Sequence, residues 1–458
     1  MRQILAIAKL TWKAAFRFRL FWVLAGLLLL TVVVLPLLVK DDGTAQGFTQ
    51  ILLTYTLSLL TALLGFATLW LACGTLARDI EDSQMQMVAV KPVARWQIWL
   101  GKWLGLVALN AALIALAGGS VFALLYWRAQ KLPAKEQEKL RREILVARAS
   151  VRPVFPDVEQ AVEQTFREEI AKRPVPAAEH PLLRKTIREQ IEAGLSVIPP
   201  QYGRRWTLNF VADKDRVRGQ TLALRFKFFA ASDRSGTIYP GVWQAGAPPQ
   251  TLVWRQSVRV PANSFQEVEI PPGFLDENGV LTLEYVNQSA TTLLFRTTDG
   301  VEVLHREGGF GLNFARGLGI ILGWMAVLAA LGLAAASFLS FPVAAFFSAS
   351  LLVVTLSSGT LVNVVEQGTL AQPDHETGAA GSSMLDVVML PVFRGLLGVV
   401  NLVRDFSPVD ALSTGRSITW SQLGLAWAKG VLVLGGGLAL FGMIVFTRRE
   451  LAATQTQS

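Results

Sequence analysis

The 458-residue chain has one cysteine, Cys73, and three histidines, His180, His305 and His375, on separate segments. One cysteine excludes an intramolecular disulfide. Three scattered histidines, without HExxH, CxxC or a Cys/His cluster, give no support to a metal site. No G-x-x-x-x-G-K-[ST] occurs, so the chain lacks a P-loop for ATP, and no G-x-S-x-G nucleophile motif is present. Charge is scarce as well. Only 17% of residues are charged and 52% are hydrophobic, whereas soluble domains carry roughly 25% charge. Such a chain is neither wholly soluble nor disordered throughout.

What charge there is lies unevenly. Residues 128–312 hold 26 of the 43 Lys/Arg and 22 of the 34 Asp/Glu, which makes that segment 26% charged, the ordinary soluble value. The remaining 273 residues are 11% charged. The pattern is a membrane protein with one water-soluble insert. The net charge of +9 is spread over the chain and the insert carries only +4, so nucleic acid is not an expected partner.

Residues 20–39 form a 20-residue run without charge, which at about 1.5 Å per residue just crosses a hydrocarbon core of about 30 Å. Residues 51–77 and 103–127 are also uncharged and longer. Residues 317–365 are long enough for two helices, with Ser340-Phe341-Pro342 as the hairpin between them. Residues 430–447, extended back to about 423, close a set of six expected spans. Ahead of them, residues 1–19 do not read as a cleavable signal peptide. Arg2, Lys9, Lys13 and Arg17 share one helical face, the pattern of a basic amphipathic helix lying on membrane lipid.

Lys and Arg in the short segments set orientation. They gather in residues 1–19, in the loop 78–102 and in the tail 448–458, so these are expected to be cytoplasmic. The insert and the loop 366–422 then face outward. Within that loop, residues 385–403 contain Pro391 and Arg394, with Asp386, Asn401, Arg404 and Asp405 on or near the same helical face. An interfacial or re-entrant helix fits this better than a seventh span, which would also move Arg448 and Arg449 outside.

The insert divides in two. Residues 128–205 are charged, helical in character and broken by prolines. From about Trp206 the period changes to two. Leu222, Leu224, Phe226 and Phe228 alternate with Thr221, Ala223, Arg225 and Lys227, and similar alternation recurs to Val303. Turn signals such as Asp276-Glu277-Asn278-Gly279 separate the runs. Residues 206–310 therefore predict a β-sandwich, jelly-roll-like in its strand count. Trp243 and Trp254 are candidates for stacking on a sugar, although core packing is the plainer expectation. Asp276 and Glu277 suit an Asx-type turn better than calcium. Asn287-Gln288-Ser289 has the form of a glycosylation sequon.

The spans hold almost no ionisable residue away from their ends, which disfavours proton-coupled transport. Energy would then come from a partner. Small polar residues do form stripes. Thr54, Ser58, Thr61, Gly65, Thr68, Ala72 and Thr75 share a face of span two. Span five carries Ser348, Ser350, Thr355, Ser357, Ser358, Thr360 and Asn363. Close helix packing explains such stripes; Thr54, Ser58, Thr61, Thr68, Ser357 and Thr360 are also candidates for a pathway or dimer face.

The most specific stretch is the loop 78–102. It has an acidic helical start at Asp79, Glu81 and Asp82, an apolar turn at Met87, Val88 and Val90, a stop at Pro92-Val93, and a basic re-entry with Arg95, Ile98 and Gly101-Lys102. Here the chain resembles the permease subunits of ABC-2 type transporters. Their loop between spans two and three reads roughly acidic-x-x-x-G-T-L-x-x-L-L-x-x-P-V-x-R-x-x-I-x-x-G-K. Gln84 and Gln86 stand near where Gly-Thr is usual. Phe406-Ser-Pro-Val-Asp410, Gly415-Arg-Ser-Ile418 and Phe446-Thr-Arg-Arg-Glu-Leu451 are similar to the group serving multicopper-enzyme maturation and gliding motility. The resemblance covers residues 1–127 and 313–451 and leaves out the insert.

The resemblance implies a polytopic α-helical membrane protein of six transmembrane helices, of the ABC-2 or type V exporter kind, with an inserted extracytoplasmic α+β domain. It implies a bacterial cytoplasmic (inner) membrane, a second permease as homodimer or related heterodimer partner, and separate ATPase subunits. ATP and magnesium would sit on those subunits, with no cofactor and no catalytic residue in this chain. The loop with Asp79, Glu81, Asp82, Met87, Pro92, Arg95 and Lys102 would receive the ATPase stroke, and spans two and five would line the central interface. The outer domain would bind cargo, an extracytoplasmic protein or a glycan. Two other readings compete. One is a membrane-anchored binding module, which would have no need of a docking loop. The other is a mechanotransmission complex that passes force but no substrate.

Overall fold

The computed structural model describes residues 2–17, 20–38, 45–82, 93–140, 145–172, 176, 180–211, 214–232, 237–248, 251–356, 395 and 407–449. Residues 385–403 therefore lie outside the described residues, save Gly395. The chain divides into two compact units. One is Met1–Val146 with Gly309–Ser458, and the other is Ala147–Gly308.

The first unit is helical. Its main elements are α1 (Arg2–Arg17), α2 (Leu20–Leu38), α3 (Ala45–Glu81), α4 (Arg95–Ala129), α5 (Phe310–Ala336), α6 (Phe341–Leu356) and α7 (Trp420–Arg448). Four segments, Thr49–Glu81, Arg95–Ala129, Phe310–Ala336 and Trp420–Arg448, are long and apolar enough to cross a bilayer, which marks the chain as a membrane protein. A fifth candidate is the pair Arg2–Phe16 and Phe21–Val34, bent by 64°. The apolar helix α6 is shorter, at 16 residues. It starts with Pro342 in its first turn, where the missing N–H costs nothing. Within α7, Trp427–Gly435 is π-helical.

Small residues set how closely these helices approach. A methyl group on Gly332 of α5 would come within 2.7 Å of the Ala72 Cβ on α3. Gly101 and Gly105 of α4 do the same for α1. A Cβ on either would lie 2.7 Å from the Cβ of Ile7 or Thr11. The amphipathic helix α1 thus rests its Ile7 and Thr11 side on α4. Arg2, Lys9 and Lys13 are exposed on the other side, flanked by exposed Leu5 and Leu10. The Arg17 side chain lies outside the described residues.

The helix ends collect at two poles. Glu81, Arg95, Phe341 and Arg449 meet at one, as their hydrogen bonds below establish. Ala129, Phe310 and Leu52 share an apolar cluster with Leu412 and Ile418 at the other. The insert thus leaves and rejoins the bundle at this second pole.

The second unit is rich in β-sheet. Its strands are β1 (Val146–Val151), β2 (Val197–Ile198), β3 (Gly203–Asn209), β4 (Leu222–Phe226), β5 (Phe229–Ala230), β6 (Ile238–Ala245), β7 (Trp254–Pro261), β8 (Gln266–Ile270), β9 (Val280–Asn287), β10 (Leu293–Leu294) and β11 (Val301–Gly309). They form two four-stranded sheets, β1-β11-β4-β8 and β3-β9-β6-β7, and a small sheet β2-β10-β5. The pairs β3–β9, β9–β6 and β6–β7 are antiparallel, as are β11–β4 and β4–β8. Leu222, Leu224 and Phe226 of one sheet join Trp206, Trp243, Leu283 and Tyr285 of the other in one buried cluster. Helices Val158–Lys172 and His180–Ser196 pack together through Val162, Phe166 and Ile187. The expected helical stretch 128–205 thus contains strand β1 as well. Its sequence, VARASV, lacks bulky alternation, and its strand state comes from pairing with β11.

Candidate functional site

The pole where α3 ends and α4 begins gathers four of the residues singled out in the sequence. On the last turns of α3, Asp79 and the Thr75 carbonyl lie one helical turn apart and point the same way. Lys102 of α4 fills the space between them. Its Nζ sits 2.5 Å from Asp79 Oδ2 and 2.6 Å from the Thr75 carbonyl oxygen, and the residue is only 8% exposed. A buried ammonium needs such paired acceptors.

Glu81 does something different. Its Oε1 accepts a hydrogen bond from the Phe341 backbone N–H at 2.8 Å. That N–H is among the unsatisfied donors at the start of α6, where a negative charge is favoured. Arg78 adds a cation–π contact, its guanidinium 4.2 Å from the Phe341 ring centre.

Arg95 closes the other side. Its Nη1 donates to the carbonyls of Phe446 at 3.2 Å, Thr447 at 2.9 Å and Arg449 at 2.7 Å, capping the C-terminus of α7. Arg449 in turn donates to the Ser337 carbonyl at 3.2 Å, at the end of α5. The residues flanking the loop therefore tie together the ends of α3, α4, α5, α6 and α7. Asp82 is exposed at the end of α3, and Trp96 is 47% exposed at the start of α4. Met87 and Pro92 lie outside the described residues. The carboxylates of Asp79 and Glu81 are each engaged by a donor.

The hydroxyl stripe of α3 does not face one way. Thr54 and Thr61 are half-buried and Ser58 is exposed. Thr61 donates to the Leu57 carbonyl of its own helix. Thr68 is buried, donating to Asn110 Oδ1 of α4 at 2.9 Å and lying 3.6 Å from Met325 Sδ of α5. Ser357 and Thr360 lie outside the described residues. The face that α3 leaves open carries Tyr55, Leu59, Phe66 and Trp70 instead. Sequence reasoning passed over Asn110, although an amide in mid-span was itself the signal. It also passed over Asn313 of α5. That side chain donates to the Arg416 carbonyl and accepts from the Ile418 N–H, both at 2.7 Å.

In the β-rich unit, Trp243 is fully buried, so it is not a sugar platform, whereas Trp254 is partly exposed. Asp276 accepts from the Val280 N–H at 2.6 Å, closing a turn. Asn287 is buried and donates to the carbonyls of Ile198, Pro199 and Thr291, so the sequon is a structural amide and not a glycan acceptor. No family model, curated protein or solved structure matches this chain.

Proposed function

We propose that this chain is the membrane-spanning subunit of an ABC-2 type exporter, driven by a separate ATPase, with an outer β-sandwich that binds cargo or a partner. The single observation that carries the reading is the tie between the loop flanks and five helix ends. A partner that grips the loop 83–94 would pull on Glu81 and Arg95 together, and so on α6 and α7 at once. ATP-driven closure of two ATPases would in this way bias an inward–outward equilibrium of the spans.

The rest of the reading is supported piece by piece. Adding α2 and α6 to the four long helices makes six spans. Exposed Arg78 and Arg448 lie at the pole where the loop flanks meet, in line with the cation excess expected of a cytoplasmic face. The shared core of the two four-stranded sheets supports a sandwich. The open apolar face of α3 would meet lipid or a second permease.

The test is capture of the ATPase from cells co-expressing both subunits, the expected ATPase being a span-free protein with a Walker A motif, to be sought first in the genes beside this one. Glu81 must stay, because it caps α6. Asp82→Lys with Trp96→Ala changes only exposed loop flanks. The double variant is expected to insert at normal yield and lose the ATPase. Undiminished capture overturns the docking assignment.

A further inference from the structure

Strands β7 and β8 are both sheet edges, and a groove of about 580 Å³ lies beside them. Small-ligand sites span about 300–1,000 Å³. Trp254 and Gln256 of β7 line it, with Glu267 and Glu269 of β8, Thr221, and a wall of Pro271 and Pro272. The proline pair has fixed backbone torsions and gives the groove a stiff side.

The polar groups here fall into two kinds. Glu267 is held by Arg148, which donates to both carboxylate oxygens, so its charge is neutralised. The side chains of Trp254, Gln256, Glu269 and Thr221 make no hydrogen bond or ion pair among the described residues. A partly exposed indole with its N–H unengaged thus stands beside an amide, a hydroxyl and an acceptor-only carboxylate. No cation lines the groove among the described residues, which disfavours phosphate or carboxylate ligands. The mixed polar lining disfavours an acyl chain. A pyranose ring matches the set, with one C–H face to stack on indole and hydroxyls around its rim to donate to a carboxylate.

We propose that this groove binds a neutral oligosaccharide, with Trp254 as the stacking platform and Gln256 and Glu269 as hydroxyl partners. This deepens the proposed function by naming the ligand class of the outer domain, and rests on that reading for the domain's role in cargo or partner binding. The binding itself is measured without any ATPase, so its failure leaves the docking assignment standing, and loss of ATPase capture leaves the groove standing.

The experiment uses the full chain in lipid nanodiscs. Cellohexaose, maltohexaose and hexa-N-acetylchitohexaose are titrated by saturation-transfer NMR and calorimetry, with spermidine as a cationic probe. At least one hexasaccharide is expected to bind saturably and with little salt dependence, as befits a neutral ligand. Trp254→Ala and Glu269→Gln should each weaken it about tenfold, the scale of one stacked ring or one charged hydrogen bond. Because Trp254 also touches the core, Glu269→Gln, which keeps the shape, stands as the second variant. Absence of binding by all three sugars, equal binding by both variants, or binding of spermidine alone overturns the proposal.

Discussion

Tyr285 carries a hydroxyl with nowhere to go. The residue is fully buried, and its oxygen has no hydrogen-bond partner among the described residues. A Cβ built on Gly241 would fall 2.1 Å from that oxygen, so only glycine leaves room for it. Burial pushes the phenol pKa up from its ordinary value of about 10. The folded state then keeps a proton that the unfolded state gives up, so stability falls as pH rises above about 10. Tyr285→Phe is expected to be as stable as the parent or more stable, by up to about 1 kcal/mol, and to lose less stability at alkaline pH. Thermal unfolding of the purified protein at pH 8 and pH 10.5 measures both. Glu302 is the opposite case. Its buried carboxylate takes the Arg225 guanidinium at 3.3 Å and the Ser150 hydroxyl at 2.7 Å. Glu302→Leu strands a buried cation and is expected to cost about 3–5 kcal/mol. The double change Arg225→Met with Glu302→Leu should recover most of that loss in the same unfolding assay. Neither situation was legible beforehand, because alternation along a strand marks Glu302 and Arg225 as outward-facing without saying what covers that face.

At the scale of elements, α1 rests on two glycines. Gly105→Val forces a side chain into Thr11 and Ala8, and overpacking of this kind costs about 1–3 kcal/mol. The expected result is faster trypsin cleavage at Lys9 and Lys13 as α1 lifts from α4. Gly119→Ala, on the same helix with open space around it, is the control and should leave the cleavage rate unchanged. The basic face of α1 was plain in the spacing of Arg2, Lys9 and Lys13, whereas its seat was not, since Gly101 and Gly105 had no pattern tying them to residues 94 positions earlier. Strands β4 and β9 follow the period-two pattern of their own residues, with Leu222 and Leu283 turned inward. Strand β1 has no such pattern. The π-helical turns of α7 also left no mark on hydropathy, because apart from Lys429 the run is apolar at every register. Of the pole where the loop flanks meet, the residue types were legible. The exchange of Glu81 to α6 and Arg95 to α7 was not, because a carboxylate near a span end looks the same whether it faces a partner or caps a neighbouring helix.

For the whole molecule, the division of charge along the chain was enough to separate a membrane body from a soluble insert, since solvent alone dictates that contrast. Which pole faces which compartment is open to direct measurement. In a Cys73→Ala background, Gln130→Cys should react with a membrane-impermeant maleimide in intact cells, while Ala94→Cys should react only after lysis. The reverse pattern would invert the orientation. The connection between the two units has a consequence of its own. Ala129 and Phe310 belong to one apolar cluster, so the chain departs from the bundle and returns to it at a single spot. A gene built this way can exchange its middle third as one block without disturbing how the helices assemble. The body and the insert can then descend from different ancestors, and trees drawn from each part separately need not agree.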